Sequence, residues 1–143
     1  MRSDVLNVNS SSTFTHKKKV QSINADITLT NEDSGKVFML DAAGGAVAIT
    51  LPTASSGEDG VYYKFIVEEE TPSNAITIGA GSAIVSFVGL DVNGTAASTA
   101  GTQVSNIIIG ASAQKGDVVE LMFTKGEYVG TVLSGIDGAI TTS

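Results

Sequence analysis

A chain of 143 residues with 42% hydrophobic and only 16% charged side chains has room for one core plus a tail, and at this size burial alone can hold it without a metal or a disulfide. The absence of cysteine excludes a disulfide scaffold, thiol chemistry and Cys-ligated zinc, and the single histidine excludes multi-His metal centres. Residues 1–20 carry Arg2, Lys17, Lys18 and Lys19 against Asp4, whereas residues 21–143 carry four Lys against 14 Asp and Glu; an acidic body repels nucleic acid, so wrapping of DNA or RNA is not expected.

Residues 1–23 show no helical or strand periodicity. Asn7, Asn9, Ser10, Ser11, Ser12 and Thr13 are followed by the lysine run, which predicts an extended N-terminal arm ahead of a domain over residues 24–143. From Ala25 the pattern has period two. Ile27 and Leu29 alternate with polar residues, and Asn31–Gly35 is a turn cluster. Lys36–Leu40 predicts a strand, and Val47, Ile49 and Leu51 mark another that ends at Pro52. Val61, Tyr63, Phe65 and Val67 form one face of a long strand, with Tyr62, Lys64, Ile66 and Glu68 on the other.

The second half keeps this grammar. Ile76 and Ile78 alternate, 83–88 is apolar, and Asn93-Gly94 and the small residues 95–102 predict a turn and a loop. Strands are expected over 104–109 and 117–124. Lys125-Gly126 then joins 117–124 to 127–133, the strongest hairpin signal in the chain. Sixteen Gly, 16 Ser and 15 Thr suit short strands and turns rather than a helical bundle. Eight or nine short strands at this spacing predict an all-β fold, an antiparallel β-sandwich or jelly roll. No exact internal repeat is visible. No apolar run approaches the roughly 18 residues of a membrane span, and Met1–Ser10 lacks the apolar core of an export signal; no membrane partner is expected.

The hairpin is apolar on both faces. Val119, Leu121 and Phe123 share one side; Val118 and Met122 lie opposite, with Glu120 and Thr124. Val129 and Leu133 likewise oppose Tyr128 and Val132. A small sandwich covers one face of each strand, so the other face calls for a loop or another subunit. Tyr62, Val118 and Met122 are the expected interface residues of a homo-oligomer.

Catalytic constellations are absent from the pattern. His16 stands among lysines with no nucleophile partner. Glu68-Glu69-Glu70 reads as a solvated turn, because metal and glycosidase sites need carboxylates converging from separate elements. Asp41, Asp91 and Asp137 sit in turn contexts where Asp bonds nearby amides. Gly79-Ala80-Gly81 lacks the phosphate-loop pattern and its Lys. No enzyme activity, no metal and no cofactor are expected.

Ser34–Asp41, Gly44-Gly45 and Val47–Pro52, then Gly116–Leu121, Gly126–Val129 and Gly138–Thr141, resemble in order and spacing a group of small β-rich virion proteins of tailed bacteriophages. The group includes capsid decoration (cement) proteins and modules of tail fibres. The likeness covers about residues 25–141; Tyr128 stands where the group usually has Trp. A short stand-alone domain with a basic arm resembles the decoration proteins most. That resemblance implies a homotrimer on the outer surface of the capsid, bridging copies of the major capsid protein and stabilising the head against the pressure of packaged DNA. Arg2, His16, Lys17, Lys18 and Lys19 would form the capsid-binding arm. The alternative within the same group is a tail-fibre or receptor-binding module that recognises host glycans.

Overall fold

The computed structural model describes residues 17–53, 58–69, 72–80, 84–91 and 104–143, the stretch 84–91 by its backbone alone. The strands are β1 (Val20–Ile23), β2 (Ile27–Thr28), β3 (Val37–Leu40), β4 (Val47–Thr50), β5 (Tyr62–Val67), β6 (Ile76–Gly79), β7 (Ile84–Asp91), β8 (Asn106–Ile109), β9 (Val118–Thr124), β10 (Glu127–Ser134) and β11 (Ile140–Thr142). They build two sheets packed as a sandwich. One has the order β1-β3-β5-β9-β10-β7 and the other β11-β8-β6-β4-β2. The all-β sandwich is as expected. Arg2, His16 and the Asn93-Gly94 turn lie outside the described residues, as do the loops 54–57 and 95–102.

The expectation of an antiparallel or jelly-roll sandwich is corrected by the strand directions. β1-β3, β3-β5, β2-β4, β4-β6 and β7-β10 are parallel pairs. Only β5-β9, β9-β10, β6-β8 and β8-β11 are antiparallel. The cause is how the chain moves. From β1 to β9 it crosses to the other sheet after every strand, and the returns as far as β7 run in the same direction as the last strand laid in that sheet, whereas β8 and β9 run against theirs. A parallel neighbour always needs a long crossover, and here a strand of the opposite sheet supplies it. The arches β1-β2, β3-β4 and β5-β6 therefore stack like three coils. Val20, Val37 and Lys64 are in register, as are Ile27, Ile49 and Ile78. The intervals between these aligned residues are unequal, which is why no sequence repeat is visible.

Val20–Ile23, read from sequence as part of the irregular arm, forms the edge strand β1. Four residues are too few to show a period; pairing with β3 makes the strand.

Alternation places the core correctly. Tyr63, Phe65 and Val67 are fully buried, as are Val119, Leu121 and Ile107. Phe38 stacks on Phe65 with ring centroids 5.4 Å apart, and Phe123 meets Tyr128 edge-on at 5.3 Å. Such pairs add about 1 kcal/mol to the burial of the rings. The five-stranded sheet contributes a branched ladder, Ile49-Ile78-Ile107 beside Val47-Ile76-Ile109. Each of these side chains stabilises the fold by roughly 2 kcal/mol through removal from water.

The β9-β10 hairpin closes as the sequence predicts. Lys125 and Gly126 have φ of 51° and 88°, the double positive φ of a type I′ turn. Asp59 accepts the Lys125 amide at 2.8 Å. At the opposite end of the hairpin the buried Asp117 accepts from the Gln114 amide at 2.9 Å and from the Ser134 hydroxyl and the Gly135 amide at 2.8 Å each. These bonds satisfy a carboxylate that would otherwise be costly to bury, and they tie the start of β9 to the end of β10.

Candidate functional site

On β1, β3, β5, β9 and β10 three lateral rows of outward positions are set by register, with Thr124 and Glu127 beyond them at the hairpin end. The first is Tyr62-Met122-Val129. The second is Val20-Val37-Lys64-Glu120-Thr131, and the third Ser22-Met39-Ile66-Val118-Leu133. Most of these side chains are apolar. Val20 is 65% exposed, Leu133 60% and Met122 42%. Tyr62, Glu120, Met122, Val129 and Thr131 border a shallow depression of about 390 Å³.

The five-stranded sheet presents a different outer surface: Thr28, Ala48, Thr50 and Thr141 are exposed, and Thr77, Asn106 and Ile108 are half-buried.

One ion pair sits within the apolar rows. Lys64 Nζ lies 2.6 Å from a Glu120 carboxylate oxygen. The pair spans the two central strands, β5 and β9, in the middle row. The Lys64 side chain holds the Glu120 carboxyl below its ordinary range, and Glu120 in turn raises Lys64. Partial burial, with the Glu120 charge beside it, pushes the Tyr62 phenol up.

A basic margin adjoins this face. Lys17, Lys18 and Lys19 are exposed and line a groove of about 480 Å³ with Glu32, Ser34, Gly35 and Lys36. Lys36 is paired with Asp33, whose carboxyl is held low by that lysine. Lys18 Nζ lies 5.7 Å from the centroid of the Tyr62 ring, close enough for a cation–π attraction. The arm lysines and the expected interface residue Tyr62 therefore belong to one surface.

Tyr62 and Met122 face each other directly, and Val118 lies four residues, or two rows, away along β9 between Ile66 and Leu133. The structure thus brings the three sequence-predicted interface residues onto one face. Val20, Val37, Met39, Ile66, Val129 and Leu133 join them, as does the central Lys64-Glu120 pair. Alternation showed which side of its own strand each residue takes, but cross-strand register was needed to gather them.

The opposite end of the face is acidic. Glu68 is exposed and accepts the Ser22 hydroxyl at 3.2 Å. Behind it, Asp41 accepts from the Ala43 amide at 2.9 Å; the neighbouring Asp41 carboxyl pushes Glu69 up, and Glu69 together with that amide holds Asp41 low. Among the described residues no group of three His, Cys, Asp or Glu is placed to hold a metal ion. No protein-family model and no curated protein matches the chain.

Proposed function

We propose that this protein is a non-enzymatic structural component of a tailed-bacteriophage virion. It decorates the outer surface of the capsid, contacts the major capsid protein through its basic margin, and associates with further copies of itself through the apolar sheet face. The observation that carries the reading is one continuous surface: an apolar face on a rigid sandwich, bordered by Lys17, Lys18 and Lys19. A ligand that binds only the assembled shell stabilises it by mass action. Several linked copies add avidity, so each lysine contact can be weak. Screening by salt acts on such a contact, the Debye length being about 10 Å at 0.1 M.

The test adds purified protein to heads that lack decoration and counts bound copies. Saturation at hundreds of copies per head is expected. Replacement of Lys17, Lys18 and Lys19 by Ala should weaken binding by about tenfold or more at low salt and flatten its salt dependence. A handful of copies per particle, together with binding to host polysaccharide, is the outcome of the tail-fibre alternative and would overturn the proposal.

A further inference from the structure

We infer that the outer face of the six-stranded sheet packs against the same face of a second copy, about a two-fold axis running along the strands between β5 and β9. The inference rests on reading this face as a docking surface and specifies its occupant.

The argument starts from the ion pair. Lys64 and Glu120 flank the centre of the face, on adjacent strands in the middle row. Covering an ion pair with an apolar partner strips its water without replacement and is costly. A second copy turned about an axis along the strands exchanges β5 for β9. Its Glu120 then lies over Lys64, and its Lys64 over Glu120, making a square of alternating charge. An axis across the strands would instead set lysine on lysine.

The remaining rows obey the same operation. In the first row Tyr62 meets Met122 of the second copy, and Met122 its Tyr62. In the third row Ile66 meets Val118 and Met39 meets Leu133, each reciprocally, as an isologous contact requires. The margins agree. Lys18 and Lys19 turn toward the side where the second copy carries Glu127 at the start of β10. Glu68 turns toward the side where it carries Lys115, ahead of β9. Two sheets stacked this way keep the nearly aligned strand directions of ordinary sandwich packing.

The size is adequate. Five strands about 4.8 Å apart and three outward rows about 6.8 Å apart span roughly 500 Å² per copy, hence about 1,000 Å² for the pair, before side-chain relief. The phage resemblance implies three copies. A single sheet face that matches itself joins copies two at a time, and the two assemblies differ in mass.

Sedimentation of the full chain at micromolar concentration should give twice the 14.6 kDa chain mass. K64E puts two acids at the centre of the face and E120K two bases, so each alone should weaken self-association by about 100-fold. Mixing the two singly changed chains should restore pairing as a mixed dimer. L133D, at a position open to solvent in the single chain, should be monomeric with unchanged circular dichroism, which covers the case of a charge variant that does not fold. A wild-type monomer, a wild-type trimer, or single charge variants that pair as well alone as when mixed would overturn the inference. A dimer that ignores capsids would sink the decoration reading and leave this one standing; a monomer that binds capsids would do the reverse.

Discussion

The two outer faces of this sandwich differ in what they ask of their surroundings. The five-stranded sheet shows water threonines, an alanine, an asparagine and one half-buried isoleucine; the six-stranded sheet shows it valines, methionines, a leucine, an isoleucine and one ion pair, with Ser22 and Thr131 among them. Both sheets bury their inner faces well, with the core tyrosines, phenylalanines and isoleucines at 0–3% exposure. The core alone therefore gives no reason for the second face to be apolar. A soluble monomer gains nothing from a contiguous greasy face, and such patches mark interaction surfaces.

A backbone contrast between the sheets gives the largest expected effect. At Gly130 in β10 an added Cβ would stand 1.8 Å from the Glu120 carbonyl oxygen, which is main chain and cannot step aside. At Gly79 in β6 it would meet only the end of the Asn106 side chain, at 2.8 Å. Gly130→Ala should destabilise by about 3 kcal/mol and disturb the apolar face. Gly79→Ala should cost less than about 1 kcal/mol, because the amide can rotate and alanine stiffens the unfolded chain. Equal losses in denaturant titration would remove the contrast.

Tyrosines sharpen the difference between inside and outside. The buried Tyr128 donates to the Pro52 carbonyl at 3.1 Å, and burial pushes its phenol up to about 12. Tyr63 donates to the Thr30 carbonyl at 2.8 Å and is raised further for the same reason. Because the folded chain keeps these protons longer than the unfolded one, their stabilising contribution is complete below pH 10, the ordinary phenol value. It is lost as pH climbs to about 12 for Tyr128. Tyr128→Phe should cost about 1 kcal/mol at neutral pH and reduce that alkaline loss. Tyr62→Phe on the outer face should leave neutral-pH stability nearly unchanged. Stability curves against pH for the two variants check this.

The smallest effect on folding separates the faces by association. Met122→Lys and Thr50→Lys replace outward residues on opposite sheets, and each should shift the stability of the single chain by within about 0.5 kcal/mol. Only Met122→Lys should change the sedimenting mass. If Thr50→Lys changed it as well, the difference between the faces would carry no functional meaning.

Part of this surface was legible from residues alone. Alternation in 61–68 and 118–133 assigned Tyr62, Val118 and Met122 to outward positions, and Lys125-Gly126 announced its hairpin. Other features were not. Period two is the same for parallel and antiparallel strands, so the three stacked arches read as ordinary hairpin grammar. β1 holds only four residues, too short for any period to register. Lys64 and Glu120 lie far apart in the chain, and nothing local to either signals the other.

Short-range chemistry, then, settled what is local: which side of its own strand a residue takes, where glycine and a positive φ reverse the chain, and that leader and body differ in charge. Side-chain period and turn strain act over a few residues, so they are written into the order of the amino acids. The choice of neighbouring strand, its direction and its register belong to packing between distant segments. Only the assembled sandwich, with the chain crossing from sheet to sheet, set the rows side by side and the ion pair at their centre.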